Sequence, residues 1–478
     1  MNAKEIVINT IEEKKDQICS LNDQIFYYAE GGFREEQSAN LYCSLLKEEG
    51  FHITNKLADI PTAFKASYGD GAPYIGVLAE YDALPFLSQK PGVPYKEPLV
   101  EGAHGHGCGH CALGAGVFAT VLAVKEFLVQ TGIKGTIELY GCPAEEVGCG
   151  KSYMVNKGVF DHLDAVYTWH PSQINGALSK AWISLESLVF TFTGITSHAS
   201  ISPDQGRSAL DACELMNVGS NYLREHLIPE SRIHYAYLDS GGTFPNVVPD
   251  KASLRYVVRA PRISQVNEIV SRVLNIAKGA ALMTDTTMDY YIESAYYDFK
   301  PNHVLAEVLN EAVFEIGAPT YEEEDFQLAK EFFDLYEDAT RKTLIADLRT
   351  EFNSAETKNL ENNPINTFLS QYTSDTSDYS YVSTDVGNVA YVVPTAMLGH
   401  TISALGTPLH SWQLTAQAAT SIAHKGLINA GKIMALACCK LFENPELTKK
   451  AKLSHQEYYS DTFESPIPKD AIPPKTLD

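Results

Sequence analysis

Apolar positions along this 478-residue chain recur at two periods. Near the start, residues 4–29 and 36–49 carry them at helical spacing, and each stretch predicts a helix. Short apolar runs then alternate with longer helical ones. Residues 73–79, 136–141 and 164–169 read as buried strands. Residues 112–130 read as a nearly all-apolar helix rich in small side chains, suited to packing on a sheet. Strands alternating with helices predict an α/β fold with a mostly parallel sheet, whose ligands bind beyond the carboxyl ends of the strands. Asp82, Glu145, Glu146 and His170 all fall at such ends.

The texture changes near residue 187. Residues 187–194 and 252–259 alternate like half-exposed strands, and 209–227 and 263–282 have helical spacing. This unit of about 110 residues predicts a smaller α+β domain inserted into the α/β one. The expected division is a main domain whose first part is 1–186, an inserted domain over 187–298, and a second part of the main domain over 299–478. Within that last part, 321–363 is acidic and helical and reads as a solvated elaboration, 388–397 as a strand and 415–442 as a closing helix.

Charge and composition narrow the class. The 37 Lys and Arg against 60 Asp and Glu leave a net charge of -23 without a basic run, which excludes a nucleic-acid footprint. The first 20 residues lack the apolar centre of a signal peptide, and no run of about 18 apolar residues stands out, so no membrane span is expected. Nine cysteines, an odd number scattered over a long chain, fit reduced thiols and a cytoplasmic location.

Candidate chemistry concentrates in two places. His104, His106, Cys108 and His110 put four potential ligands into seven positions, and interleaved glycines let the backbone turn sharply enough for ligands two apart to face one ion. Glu145 and Glu146 form a carboxylate pair that divides the labour of a hydrolytic metal site, one holding metal and the other handling protons. Each residue has a plainer reading: Cys108 as a buried thiol, His170 as a strand-end histidine, His198 as a loop residue, Asn246 as a turn residue between Pro245 and Pro249. A cysteine nucleophile at Cys108 or Cys142 and a non-catalytic metal-binding protein that partners an enzyme also stand as alternatives. The glycine-rich run lacks the Lys-Ser/Thr ending of a phosphate loop.

Together the motifs resemble the M20 family of metallo-amidohydrolases over about residues 15–445. They are Leu78-Ala79-Glu80-Tyr81-Asp82-Ala83-Leu84-Pro85, Gly107-Cys108-Gly109-His110, Pro143-Ala144-Glu145-Glu146, Thr168-Trp169-His170-Pro171, Ser197-His198-Ala199-Ser200, Pro245-Asn246-Val247-Val248-Pro249 and Gly406-Thr407-Pro408-Leu409-His410. The resemblance implies a catalytic domain with two divalent metal ions, zinc or manganese, held by Cys108, His110, Glu146, His170 and His410. It implies Glu145 as general base and later acid, and Asp82 as a group that orients a ligand or tunes the site. The inserted domain is implied to be a lid that dimerises, placing His198 at the partner's developing oxyanion and presenting Asn246 and Arg259 to a substrate carboxylate. The expected substrate is an N-aroyl or N-acyl amino acid with a free carboxylate, such as an aminobenzoyl-glutamate-like amide, with dipeptides as the alternative. The expected assembly is a homodimer or a pairing with a related chain. Two departures bear on the metal: Cys111 stands where the family has Asp or Asn, and Glu80 where relatives have Asp or a ligand His.

Overall fold

A computed structural model of the chain describes residues 1–351, 357–374, 379–459, 463–465, 467–468 and 471. Seven strands form the main sheet in the order His52–Asn55, Phe64–Asp70, Gly135–Gly141, Tyr74–Ala79, Ala165–Pro171, Thr395–His400 and Gly176–Ala177. The four from Gly135–Gly141 to Thr395–His400 are parallel, and the pairings outside them are antiparallel. The parallel centre explains why these strands read as unbroken apolar runs, since both faces are covered. Ile75, Val77 and Ala79 pack into one core cluster with the 110–131 helix, while Leu78 packs into a second cluster on the opposite face with Tyr140 and Val166.

Helix His110–Thr131 starts after Gly109 and stops at Gly132, both with positive φ. Against expectation, it is long and apolar enough to cross a membrane, but 83% of its apolar window is buried inside the protein. Its neighbours are the sheet and helices Ala3–Glu13, Lys15–Tyr28 and Ser421–Glu443, so its apolarity serves an all-round core contact.

A second, antiparallel sheet follows the order Thr287–Tyr296, Ser184–Thr193, Lys251–Ala260 and Arg232–Asp239, packed against helices Ala209–Leu223 and Ile263–Thr284. Its two outer strands were not expected from the sequence. In Arg232–Asp239 only Ile233 is buried, and from Tyr235 to Leu238 apolar residues fall on both faces, which blurs the alternation.

Other boundaries differ in instructive ways. The predicted helix over 4–29 is two helices meeting at Lys14, and 415–442 is split into Trp412–Gln417 and Ser421–Glu443. The strand expected over 388–397 is instead helix Val386–Val392 followed, past Pro394, by strand Thr395–His400. A short buried apolar run does not separate helix from strand by period alone. The acidic stretch forms helices Glu323–Phe333 and Asp338–Glu351, with 352–356 outside the described residues. It is not wholly solvated: Asp325 is buried and paired with Lys425 of the closing helix.

Candidate active site

Strands Gly135–Gly141, Tyr74–Ala79 and Ala165–Pro171 are adjacent and parallel, so their carboxyl ends bring Glu145 and Glu146, Glu80 and Asp82, and His170 to one place. Gly109 makes the turn that adds Cys108 and His110. At φ 79° it favours glycine, and a Cβ there would sit 2.8 Å from Ile402 and 2.9 Å from Pro171. Ala144 adopts φ 57° just before the glutamate pair, held by its N–H, which donates to the buried Glu35 carboxylate at 2.8 Å.

Asp82 orients the centre of this cluster. Its Oδ1 accepts from Nδ1–H of His110 at 2.8 Å, a tautomer assigned from the contact, and its Oδ2 accepts from the backbone N–H of Glu146 at 2.9 Å. His110 therefore turns Nε2 inward. His170 does the same by donating from Nδ1 to the carbonyl of Pro171 at 2.8 Å, which leaves Nε2 3.4 Å from Cys108 Sγ. His410 arrives from the end of the chain with φ 56°, tied by its N–H to the carbonyl of Gly107 at 2.7 Å, and its Nε2 lies 3.2 Å from Glu146 Oε2.

Three groupings of potential ligands result among the described residues, Cys108 with His110 and His170, Cys108 with Glu146 and His410, and Glu80 with His110 and Glu145; in each, the ligand atoms lie within 4.8 Å of one another. Cys108 is common to the first two and His110 to the first and third. His110 Nε2 and Glu146 Oε1 are buried without a hydrogen-bond partner, with Nε2 3.4 Å from Glu80 Oε2 and 3.9 Å from Glu146 Oε1. Buried polar atoms are rarely left so. Thiolate, imidazole and carboxylate donors converging on one point with unpaired atoms fit divalent cations of borderline softness.

The electrostatics fit the same reading. Burial, then the neighbouring charges of Glu80, Asp385 and Glu146, push the Glu145 carboxyl well above its ordinary range, and burial raises Glu146 to about 7. Crowded carboxylates of this kind call for nearby positive charge. Burial lowers His170 to about 4, keeping its imidazole neutral, whereas Cys108 and Asp82 raise His110 against the effect of burial. Burial also pushes the Cys142 thiol up, so it is not the activated thiolate a cysteine nucleophile requires.

Several participants gave no signal in the sequence. Lys151, fully buried, contacts Glu80 Oε1 and Asp385 Oδ1 at 2.6 Å each and so neutralises carboxylates behind the cluster. Tyr296, at the end of an inserted-sheet strand, donates its hydroxyl to the backbone carbonyl of Glu145 at 2.8 Å. A cavity of about 790 Å³ opens over Cys108, Glu145, Glu146, His170 and His410, and Arg232, His234 and Arg259 of the inserted sheet line it from the other side. A second cavity of about 460 Å³, lined by apolar groups such as Leu178 and Leu414, meets the first at His170, Trp182, Val382 and Leu409. His198 and Asn246 do not line either cavity. Both are exposed on adjoining loops of the inserted sheet, with His198 bridged to Val247, and His106 and His400 are buried elsewhere against Ile25 and Asn429.

Known proteins carry the same pattern. The chain is 39% identical over 477 residues to one of the subunits of p-aminobenzoyl-glutamate hydrolase from Escherichia coli strain K12, covering 97% of each chain. It is 31% identical over 268 residues to Xaa-Arg dipeptidase of Mus musculus, covering 54% of this chain and 58% of that one. The fold is also that of a putative aminohydrolase from methicillin resistant Staphylococcus aureus, with a TM-score of 0.63 at 17% identity over 91% of this chain and 99% of that one. Residues 76–358 match Peptidase family M20/M25/M40, and with a relative this similar along nearly its whole length the chain belongs to that family as a metallo-amidohydrolase.

Proposed function

We propose that the chain hydrolyses the amide bond of an N-aroyl or N-acyl amino acid bearing a free carboxylate, with a p-aminobenzoyl-glutamate-like compound as the favoured substrate. The observation that carries this reading is the pair of unpartnered buried atoms, His110 Nε2 and Glu146 Oε1, among the remaining ligands Cys108, His170 and His410 and beside the buried carboxyl of Glu145. These five residues hold two zinc or manganese ions. When bound, such ions supply Lewis acidity to the amide carbonyl and lower the pKa of water.

The chain's own groups do the rest. Glu145 takes the proton of the attacking water and returns it to the departing amine, and Tyr296 fixes its backbone for that task. Asp82 holds His110 and the start of the glutamate turn in register. Arg259 binds the amino-acid carboxylate from the inserted sheet, while the apolar cavity beside Trp182 takes the acyl or aroyl half. His198 and Asn246 then belong to the site of a second copy, which a homodimer through the 187–298 domain supplies. The exposed side chains of Ile201, Phe244 and Val247 around them support such an interface. A related chain in place of the second copy, and a cytoplasmic location, complete the reading.

Elemental analysis of purified protein tests it, with about two zinc or manganese ions per chain expected. Chelation abolishes hydrolysis of N-benzoyl amino acids and metal restores it; full activity in a metal-free sample overturns the proposal.

A further inference from the structure

Arg232 stands directly opposite Arg259 in the register between strands Arg232–Asp239 and Lys251–Ala260, and His234 stands opposite Val257. Side chains two apart on a strand share a face, so Arg232, His234 and Arg259 form one patch, cationic through its two arginines, and all three line the cavity that holds Glu145. Like charges directly opposite across strands destabilise a sheet. A chain of net charge -23 has carboxylates to spare for relieving that repulsion, and it uses them elsewhere: Arg255 on the same strand pairs with Glu293 at 2.6 Å.

Among the described residues, neither arginine of the patch is ion-paired. Arg232 donates from Nη1 to the carbonyls of Pro229 and Ser231 at 2.6 and 2.7 Å, and its guanidinium lies 4.8 Å over the ring of Tyr381. Arg259 donates from Nη1 to Ser383 Oγ at 2.9 Å. Each guanidinium is thus braced by one nitrogen, with its remaining N–H groups left for a ligand, the arrangement that suits a carboxylate. Two braced, unneutralised guanidiniums side by side supply two positive charges, one more than a single carboxylate cancels.

We propose that Arg232, flanked by His234, is a second carboxylate anchor beside Arg259, so that the amine half of the substrate is a dicarboxylic amino acid. The α-carboxylate and the side-chain carboxylate are divided between the two guanidiniums, and Arg232 is the residue that determines specificity for an acidic side chain. This rests on the reading of the cavity as an amide-hydrolase site.

The test compares N-benzoyl-L-glutamate with N-benzoyl-L-glutamine, which differ only in the charge of the side chain. The metal-loaded wild-type enzyme favours the glutamate substrate tenfold or more in kcat/KM. Arg232→Gln lowers that ratio at least tenfold, and Arg232→Lys, which keeps the charge without the fork, retains part of it. A wild-type ratio near one, or a ratio that Arg232→Gln leaves unchanged, overturns the proposal. If the loaded enzyme cleaves no N-acyl amino acid, the hydrolase reading has failed, and the second anchor is then decided by calorimetry. Glutarate binds at least tenfold more tightly than its monoamide, and Arg232→Gln abolishes the difference; equal binding of the two overturns it. Thermal unfolding of each variant checks that the exposed substitution leaves the fold intact.

Discussion

Lys151 donates from Nζ to one carboxylate oxygen of Asp385 at 2.6 Å and from its backbone N–H to the other at 2.9 Å, joining residues 234 positions apart. The same Nζ reaches Glu80 at 2.6 Å, and all three side chains are buried. This bridge ties the last part of the chain to the strand ends that carry the catalytic carboxylates. Lys151→Met leaves two buried carboxylates without a counter-charge, a loss on the order of 3–5 kcal/mol. Urea unfolding of the variant measures it. Adding Asp385→Asn recovers part of the loss, because one of the orphaned charges is gone; a double variant no more stable than the single one contradicts this account.

The roles proposed for the two glutamates are separable. Glu145 sits among carboxylates with its backbone fixed by Tyr296, whereas Glu146 presents one oxygen to His410 and leaves the other unpaired near His110. Glu145→Gln keeps its metal content and lowers turnover roughly a hundredfold or more, the scale of a lost acid-base group. Glu146→Gln loses metal. Metal analysis alongside steady-state kinetics checks both, and exchanged phenotypes reverse the assignment.

The sequence made the centre of the site legible because each of its parts is local. Cys108 and His110 lie two apart on either side of Gly109, and Glu145 and His170 follow apolar strands whose ends point the same way. Lys151 and Asp385 escaped notice because a buried ion pair has no period and no fixed spacing; only the closed fold brings them together. Arg232 was hidden for a related reason. It belongs to an edge strand whose apolar residues fall on both faces from Tyr235 to Leu238, so neither the strand nor its register with Arg259 was read from the chain.

Glu186 places a carboxyl inside the inserted sheet. It is 2% exposed, opposite Val258 and Ala295 on its neighbouring strands, and burial pushes its carboxyl up to about 7. In the unfolded chain the same group releases its proton near an ordinary value of about 4.3. Between these two values the folded state binds more protons, so this group's contribution to stability falls as pH rises through that window and is lowest above it. Glu186→Gln abolishes the dependence and stabilises the protein at pH 8 by about 3–4 kcal/mol, with little gain at pH 4. Urea midpoints at the two pH values decide it; an equal gain at both means that the carboxyl is not what titrates.

The placement of His198 makes a prediction about assembly. It is exposed, its Nδ1 accepts from the N–H groups of Ser200 and Ile201 at 3.3 Å, and it lies outside the cavity of its own chain that contains Glu145. If it acts on the substrate of a second copy, a Glu145→Gln chain and a His198→Ala chain are each inactive as homodimers for different reasons. Mixing them with exchange of chains creates dimers in which one site combines the intact Glu145 of one chain with the intact His198 of the other. At equal amounts, half the dimers are mixed and each has one complete site of two, so about a quarter of wild-type activity returns. Exchange is verified by native mass spectrometry with one chain isotopically labelled. Mixed dimers without recovered activity would show that His198 works within its own chain, which requires the inserted domain to swing toward Glu145.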